Sequence, residues 1–206
     1  MSRDALHDYG LRVFGARDRE VRGLKRTYRP STYGFRIWTS SWLLMDFLRV
    51  RKIAGGSRVM DVGCGWGIAG IFCAKRYGAS VTSVDMDSQV FPFLQLHAEA
   101  NGVKVRPLIR RFADIRLDDL TGINILIGAD ICFWDTLITP LISLIELAFE
   151  AGVKSVLLAD PGRGTFLDLA SHFTAIRQAE VFDWEVNIPY RITGSILAIE
   201  PGQRAN

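Results

Sequence analysis

Three cysteines in 206 residues are too few for a disulfide framework, and Cys64, Cys73 and Cys132 all lie in apolar stretches or beside glycines. A reducing compartment is expected. No run approaches the roughly 18 uninterrupted apolar residues of a membrane span. The start, Met1-Ser2-Arg3-Asp4, lacks the apolar centre of a secretory signal. Together these absences imply a cytoplasmic protein with no membrane segment. The histidines (His7, His97, His172) are far apart and none has ligand spacing with a cysteine, so no metal site is expected. Internal repeats, low-complexity tracts and linkers are also missing, and the length suits one domain with a sizeable core.

Acidic residues are scarce at the start of the chain. Residues 1–37 hold nine Lys/Arg against four Asp/Glu, whereas the remainder holds sixteen against eighteen. Arg17, Arg19, Arg22, Lys25, Arg26 and Arg29 suit either a solvated helix face or a docking surface for an acidic partner. The chain therefore divides into a basic leader (1–37) and a main domain (38–206).

Apolar runs and breakers set the rest. Ser40 or Ser41 suits the cap of a helix bearing Trp42, Leu43, Leu44, Phe47 and Leu48. Strands are expected at 58–62, 80–85, 103–108, 123–127 and 155–159. Helices are expected over 67–77 (ending at Gly78), from Ser88 to Asn101-Gly102, over 140–151 with Thr139-Pro140 as cap and first residue, and from a Thr165/Asp168 capping box to about 177. Strands at 181–188 and 195–200 are too closely linked for a helical crossover and should form a hairpin. This alternation predicts an α/β, Rossmann-like, doubly wound sheet whose ligand lies beyond the carboxyl ends of the strands.

The chemistry begins at Asp61-Val62-Gly63-Cys64-Gly65-Trp66-Gly67, which follows Arg58-Val59-Met60. A strand, a glycine turn and a helix start are implied, with backbone N–H groups able to approach a ligand. Asp85 ends the next apolar run, where a carboxylate holds the two hydroxyls of a ribose. Gly65-Trp66-Gly67-Ile68-Ala69-Gly70 also satisfies the dinucleotide pattern, with Asp85 twenty residues after Gly65, so a nicotinamide oxidoreductase is a rival. Two details count against it. Asp61 would repel a pyrophosphate and attract a zwitterion with an ammonium and a sulfonium. None of the five tyrosines has a lysine four residues on, which removes one common hydride-transfer dyad.

This segment resembles the first motif of class I S-adenosylmethionine-dependent methyltransferases. The resemblance implies a seven-stranded sheet with one antiparallel strand near the C-terminus. It also implies S-adenosyl-L-methionine as cofactor, held by Gly63, Cys64, Gly65, Gly67 and Asp85, with Asp61 beside the loop, Met86 over the adenine, Asp114 at its amine, and Gly128 and Ala129 along the fourth strand. Trp38, in Ile37-Trp38-Thr39-Ser40-Ser41, is similar to the tryptophan that the protein-lysine branch puts against the cofactor. Asp130-Ile131-Cys132-Phe133 resembles that branch's Asp-x-x-Tyr element with phenylalanine for tyrosine. Asp160-Pro161-Gly162-Arg163 is similar to a loop of the electron-transfer-flavoprotein β-subunit lysine methyltransferases. The absence of Pro-Pro after the fourth strand argues against planar amino acceptors, and a nucleic-acid acceptor is not expected.

These residues point to methylation of a protein lysine ε-amine. Asp130 is expected to capture the ammonium, with Phe133 and Trp134 as apolar and cation–π walls. Arg163 suits either a surface turn or a substrate carboxylate. A small-molecule amine or hydroxyl acceptor, and a cofactor-binding partner without turnover, are the alternatives.

Overall fold

Alternation along Arg58–Val62 turns Val59 and Asp61 to one face of the sheet and Met60 and Val62 to the other, which is what a strand covered on both faces requires. The computed structural model describes residues 9–31 and 33–203. His7, the first eight residues of the leader and residues 204–206 fall outside them. Among the described residues seven strands form one sheet: β1 (Arg58–Val62), β2 (Ser80–Asp85), β3 (Val105–Ile109), β4 (Ile125–Ala129), β5 (Ser155–Asp160), β6 (Arg177–Val186) and β7 (Ile192–Gln203), in spatial order 3-2-1-4-5-7-6. β7 runs antiparallel to both β5 and β6, and the other pairs are parallel. The expected doubly wound, Rossmann-like sheet with its C-terminal antiparallel strand is therefore present. Strand order reverses between β1 and β4, so the crevice opens beyond their carboxyl ends.

One face is covered by α2 (Ser40–Arg51), α3 (Ile68–Tyr77) and α4 (Phe91–Ala100), through Leu43, Phe72 and Leu94 among others. The other is covered by α6 (Ile138–Glu150) and α7 (Gly164–Ile176), through Leu144, Ile145, Phe166 and Phe173. A basic helix, α1 (Arg19–Thr27), and a single turn, α5 (Leu117–Leu120), complete the set. No helix among the described residues is long and apolar enough to cross a membrane.

Several starts and ends move from their expected places, each for a local reason. Neither Ser40 nor Ser41 caps α2 through its own side chain; the Ser40 N–H is taken instead by the Asp130 carboxylate at 2.8 Å. α6 begins two residues before Pro140, because a 3₁₀ turn over Asp135–Leu137 leads directly into it. The Thr165 hydroxyl does not cap α7 but donates to the Cys132 carbonyl. β3 and β4 each start two residues later than the apolar runs suggest, and the final hairpin is longer. Gly194 lies inside β7, not in a turn, because a Cβ there would come within 2.5 Å of the Asp160 carbonyl.

The described part of the leader is not a separate unit. Tyr9, Leu11 and Val13 are buried in the same cluster as α2 and α3. The Arg12 N–H donates to Asn101 Oδ1 and the Arg12 carbonyl accepts from Asn101 Nδ2. Phe14 N–H donates to His97 Nε2 at 3.1 Å, while His97 Nδ1 meets the Phe93 carbonyl at 2.7 Å. His97 is wholly buried, and burial lowers its pKa below the usual 6.5. The neutral ring with its proton on Nδ1 satisfies both contacts.

His97→Leu leaves the Phe14 N–H without its acceptor, so unfolding free energy should fall by about 1–3 kcal/mol in denaturant titration. Hydrogen exchange should show lost protection at Phe14. The stabilisation that His97 supplies is complete above pH 6.5 and declines on acidification, since the unfolded chain takes up the proton first. The variant should lack that component of the acid-side slope.

Candidate functional site

The crevice beyond β1 and β4 is a cavity of about 290 Å³. Its floor is the glycine loop after β1. Gly63, Gly65 and Gly67 all have positive φ (64°, 51° and 72°), a conformation open to glycine at no steric cost. A Cβ on Gly67 would lie 1.9 Å from Leu94 Cδ1, so the entry to α3 tolerates no side chain there. Of the residues expected to hold the cofactor, Trp38, Gly63, Cys64, Gly65, Gly67, Asp85, Met86 and Ala129 line this cavity. Burial holds the Cys64 thiol well above its ordinary pKa, so the thiolate plays no part.

Three of the expected residues do not line it. Alternation places Asp61 beneath α3, where Oδ2 accepts the Gly70 N–H at 3.1 Å and the residue is 3 % exposed. A Cβ on Gly70 would lie 2.9 Å from that oxygen, so the helix approaches this closely only with glycine. Asp61 therefore anchors the loop from behind and does not line the cavity, where it was expected beside the ligand. Asp114 is exposed at the end of a 3₁₀ turn, and its neighbours Phe112 and Ala113 face the cavity in its place. Gly128 lies below the floor, allowing close contact with Ile131 and the Val62 carbonyl.

How the loop N–H groups are used decides which ligand fits. Cys64 N–H donates to the Val84 carbonyl at 3.0 Å, Gly65 N–H to Asp85 Oδ2 at 3.0 Å and Gly67 N–H to the Cys64 carbonyl at 2.8 Å. A diphosphate at this turn requires such donors to be free. Here they are spent inside the protein, and a carboxylate stands where the anion would go. The pairing of these three donors counts against a diphosphate at this turn and suits a ribose and a cationic sulfur. Asp85 also accepts the Asp87 N–H at 2.9 Å, which fixes its orientation, and burial raises its pKa.

Residues 29–31 and 33–38 lie across the cavity, where of these only Trp38 was expected. Arg29 N–H donates to Gln89 Oε1, Ser31 N–H to Asp87 Oδ2 at 2.6 Å, and Trp66 Nε1–H to the Gly34 carbonyl at 2.8 Å. Trp66 stacks on Phe93 at 4.9 Å. Trp38 donates its indole N–H to the Tyr33 carbonyl, placing Tyr33 4.8 Å from Phe133 and Trp38 5.0 Å from Phe133 (ring centroids). Trp134 is 56 % exposed and edge-on to Tyr33. Trp38, Phe133 and Trp134 were expected at the site; Tyr33 and Gly34 were not.

Asp130, expected to capture an ammonium, has partners on both carboxylate oxygens. It is 4 % exposed; Oδ1 pairs with Arg163 at 2.9 Å and Oδ2 accepts the Ser40 N–H. Arg163 pairs also with Asp160 at 2.6 Å and lies 4.1 Å from the Phe133 ring centroid, so it is neither a surface arginine nor free for a substrate carboxylate.

Asp85→Ala should weaken S-adenosylhomocysteine binding by about 1.5–3 kcal/mol in calorimetry, the worth of a charge-assisted hydrogen bond. Asp61 behaves differently. Burial raises its pKa from about 3.8 to about 7, so between those values the folded protein holds the proton that the unfolded chain releases. Its contribution to stability therefore falls as pH rises from 4 to 7. Asp61→Asn, which keeps an acceptor for Gly70 N–H, should remove that fall in melting temperature.

Comparison with known proteins agrees with this geometry. Residues 59–136 match the methyltransferase domain family. A ubiquinone biosynthesis O-methyltransferase of Xylella fastidiosa (strain 9a5c) is 29 % identical over 108 residues, covering 45 % of this chain and 44 % of that protein. One from Actinobacillus pleuropneumoniae is 44 % identical over 65 residues, covering 31 % and 27 %. The chain thus spans less than half the length of the curated relatives it matches. Among solved structures, a methyltransferase from Pyrococcus furiosus superposes with a TM-score of 0.64 at 17 % identity, covering 97 % of this chain and 93 % of that one. The Pyrococcus abyssi tRNA (uracil-54, C5)-methyltransferase, solved with S-adenosyl-L-homocysteine, gives 0.53 at 17 % identity over 76 % and 38 %. The family match falls on the glycine loop and on β1 to β4, and the sheet order and C-terminal antiparallel strand are those of the methyltransferase fold that these solved structures share.

Proposed function

We propose that the protein transfers a methyl group to an amine, with the ε-amine of a protein lysine as the acceptor. The single observation that carries this reading is the aromatic wall at the end of β4. Tyr33, Trp38, Phe133 and Trp134 stand together at the cavity mouth, with no unpaired carboxylate among them. The family's cofactor supplies a methyl group on a positively charged sulfur. The residues of this chain that line the first half of the cavity, Gly63 to Gly67 and Asp85, fit that group and fix its orientation.

A lysine ammonium, with an ordinary pKa near 10.4, has no lone pair with which to attack. Its proton must leave before transfer. Apolar rings desolvate the charged form, and the guanidinium of Arg36, over Trp38 at 4.0 Å, repels it. Both effects lower the amine's pKa. Asp130 would oppose them if it were free, but Arg163 neutralises it. Deprotonation to water followed by alignment along the rings replaces ammonium capture as the role of this wall. The resemblance of Trp38, Asp130, Phe133 and Asp160–Arg163 to the protein-lysine branch supports the same acceptor.

A small-molecule hydroxyl or amine is the second reading. It is favoured by the relatives named for ubiquinone biosynthesis and by the small size of the cavity.

Purified protein incubated with methyl-labelled cofactor and a lysate should place label in protein, at lysine after peptide mapping. Label only in low-mass compounds supports the second reading, and label in RNA overturns both. Transfer should accelerate with rising pH and level off well below 10.4. A rate that is flat from pH 7 to 10 sinks the idea that amine deprotonation limits attack.

A further inference from the structure

The loop after β5 does not line the cavity, yet it sends one side chain behind the ring of Phe133, which does. Asp160 is fully buried, and its Oδ1 accepts the N–H groups of Gly162 (3.0 Å) and Arg163 (2.8 Å). This tight turn brings the Arg163 side chain back over the sheet ends. There its guanidinium divides between two strands, NH1 to Asp160 Oδ2 and NH2 to Asp130 Oδ1, with the plane close to the Phe133 ring. Asp130 sits at φ +59°, a left-handed conformation rare outside glycine, and so must be held there by its contacts. Its second oxygen takes the N–H of Ser40, the first residue of α2 and two residues from Trp38. Cys132, between Asp130 and Phe133, is tied to α7 through Thr165. The ends of β4 and β5 and the start of α2 thus meet through one planar, five-donor group, which no other side chain reproduces.

We infer that Arg163 is a positioning residue for the acceptor. By bridging Asp130 and Asp160 against the face of Phe133 it sets the aromatic wall without itself touching the transferring methyl group. The inference rests on the methyl-transfer reading, and a purely structural ion cluster is the competing account.

Arg163→Met keeps the aliphatic stem and removes both ion pairs; Arg163→Lys keeps the charge but not the fork. With the labelled protein acceptor from the lysate as probe, Arg163→Met should lower kcat/KM for that acceptor at least tenfold. The dissociation constant for S-adenosylhomocysteine should stay within twofold of wild type. Arg163→Lys should recover only part of the loss. Phe133→Leu should be costly alone and add little to Arg163→Met, because both act through the same ring. If Arg163→Met fails to fold, Arg163→Gln, which bonds one carboxylate and lacks the cation, takes its place with the same expectation. Wild-type kcat/KM in a folded variant, additive losses with Phe133→Leu, or a parallel loss of S-adenosylhomocysteine affinity would each overturn the assignment.

Hydrogen exchange read by mass spectrometry supplies an arm that needs no acceptor. Arg163→Met should lose protection at residues 38–42 and 130–137 while 61–70 keep theirs. Unchanged exchange at 38–42 and 130–137 refutes the clamp. If wild-type protein labels nothing in any lysate fraction, the methyl-transfer reading fails, and this arm still decides whether Arg163 holds the wall.

Discussion

Three hydrogen bonds made by the glycine loop shape what this fold presents to a ligand. By giving the N–H groups of Cys64, Gly65 and Gly67 to Val84, Asp85 and the loop itself, the chain sews the end of β1 to the end of β2. The same bonds turn a site that elsewhere attracts anions into one that presents a carboxylate. The approach of α3 to β1, set by Gly70 against Asp61, holds the loop at the height where this works. Sheet order then delivers the acceptor half from β4 and β5, on the far side of the reversal in strand order.

The two halves of the crevice differ in how they are built. The cofactor half is made of backbone, with glycines and main-chain donors in a fixed turn. The acceptor half is made of side chains brought from distant parts of the sequence: Tyr33 from the leader, Trp38 just after it, and Phe133 and Trp134 after β4, with Arg163 behind Phe133. Loops grafted on a rigid sheet vary most readily in such places, which is why one fold serves many acceptors.

This division also explains what the sequence revealed. Strand and helix periodicity, the glycine turn and Asp85 are local signals, and the elements they imply are present with small shifts at their ends. Asp61 was read from proximity in sequence, but strand alternation turns it away from the cavity. Asp130 was read by its neighbours alone, and its two partners, Ser40 and Arg163, lie 90 and 33 residues away. The leader was read as a solvated helix face or a docking surface because arginines dominate its composition. Its sparse apolar residues, Tyr9, Leu11, Val13, Phe14 and Val21, are the ones that dock it. No periodicity marks so irregular a segment as part of a core.

The segment over the cavity leaves one consequence. Gly34 accepts from Trp66 on the nucleoside side, while Tyr33, next to it, abuts Phe133 on the opposite side. A Cβ on Gly34 would fall 2.5 Å from Val90 Cγ1, so this strip of chain lies flat with no slack. A hinge that short cannot lift over one compartment and stay down over the other. A displacement of this strip would therefore uncover both ends of the crevice together.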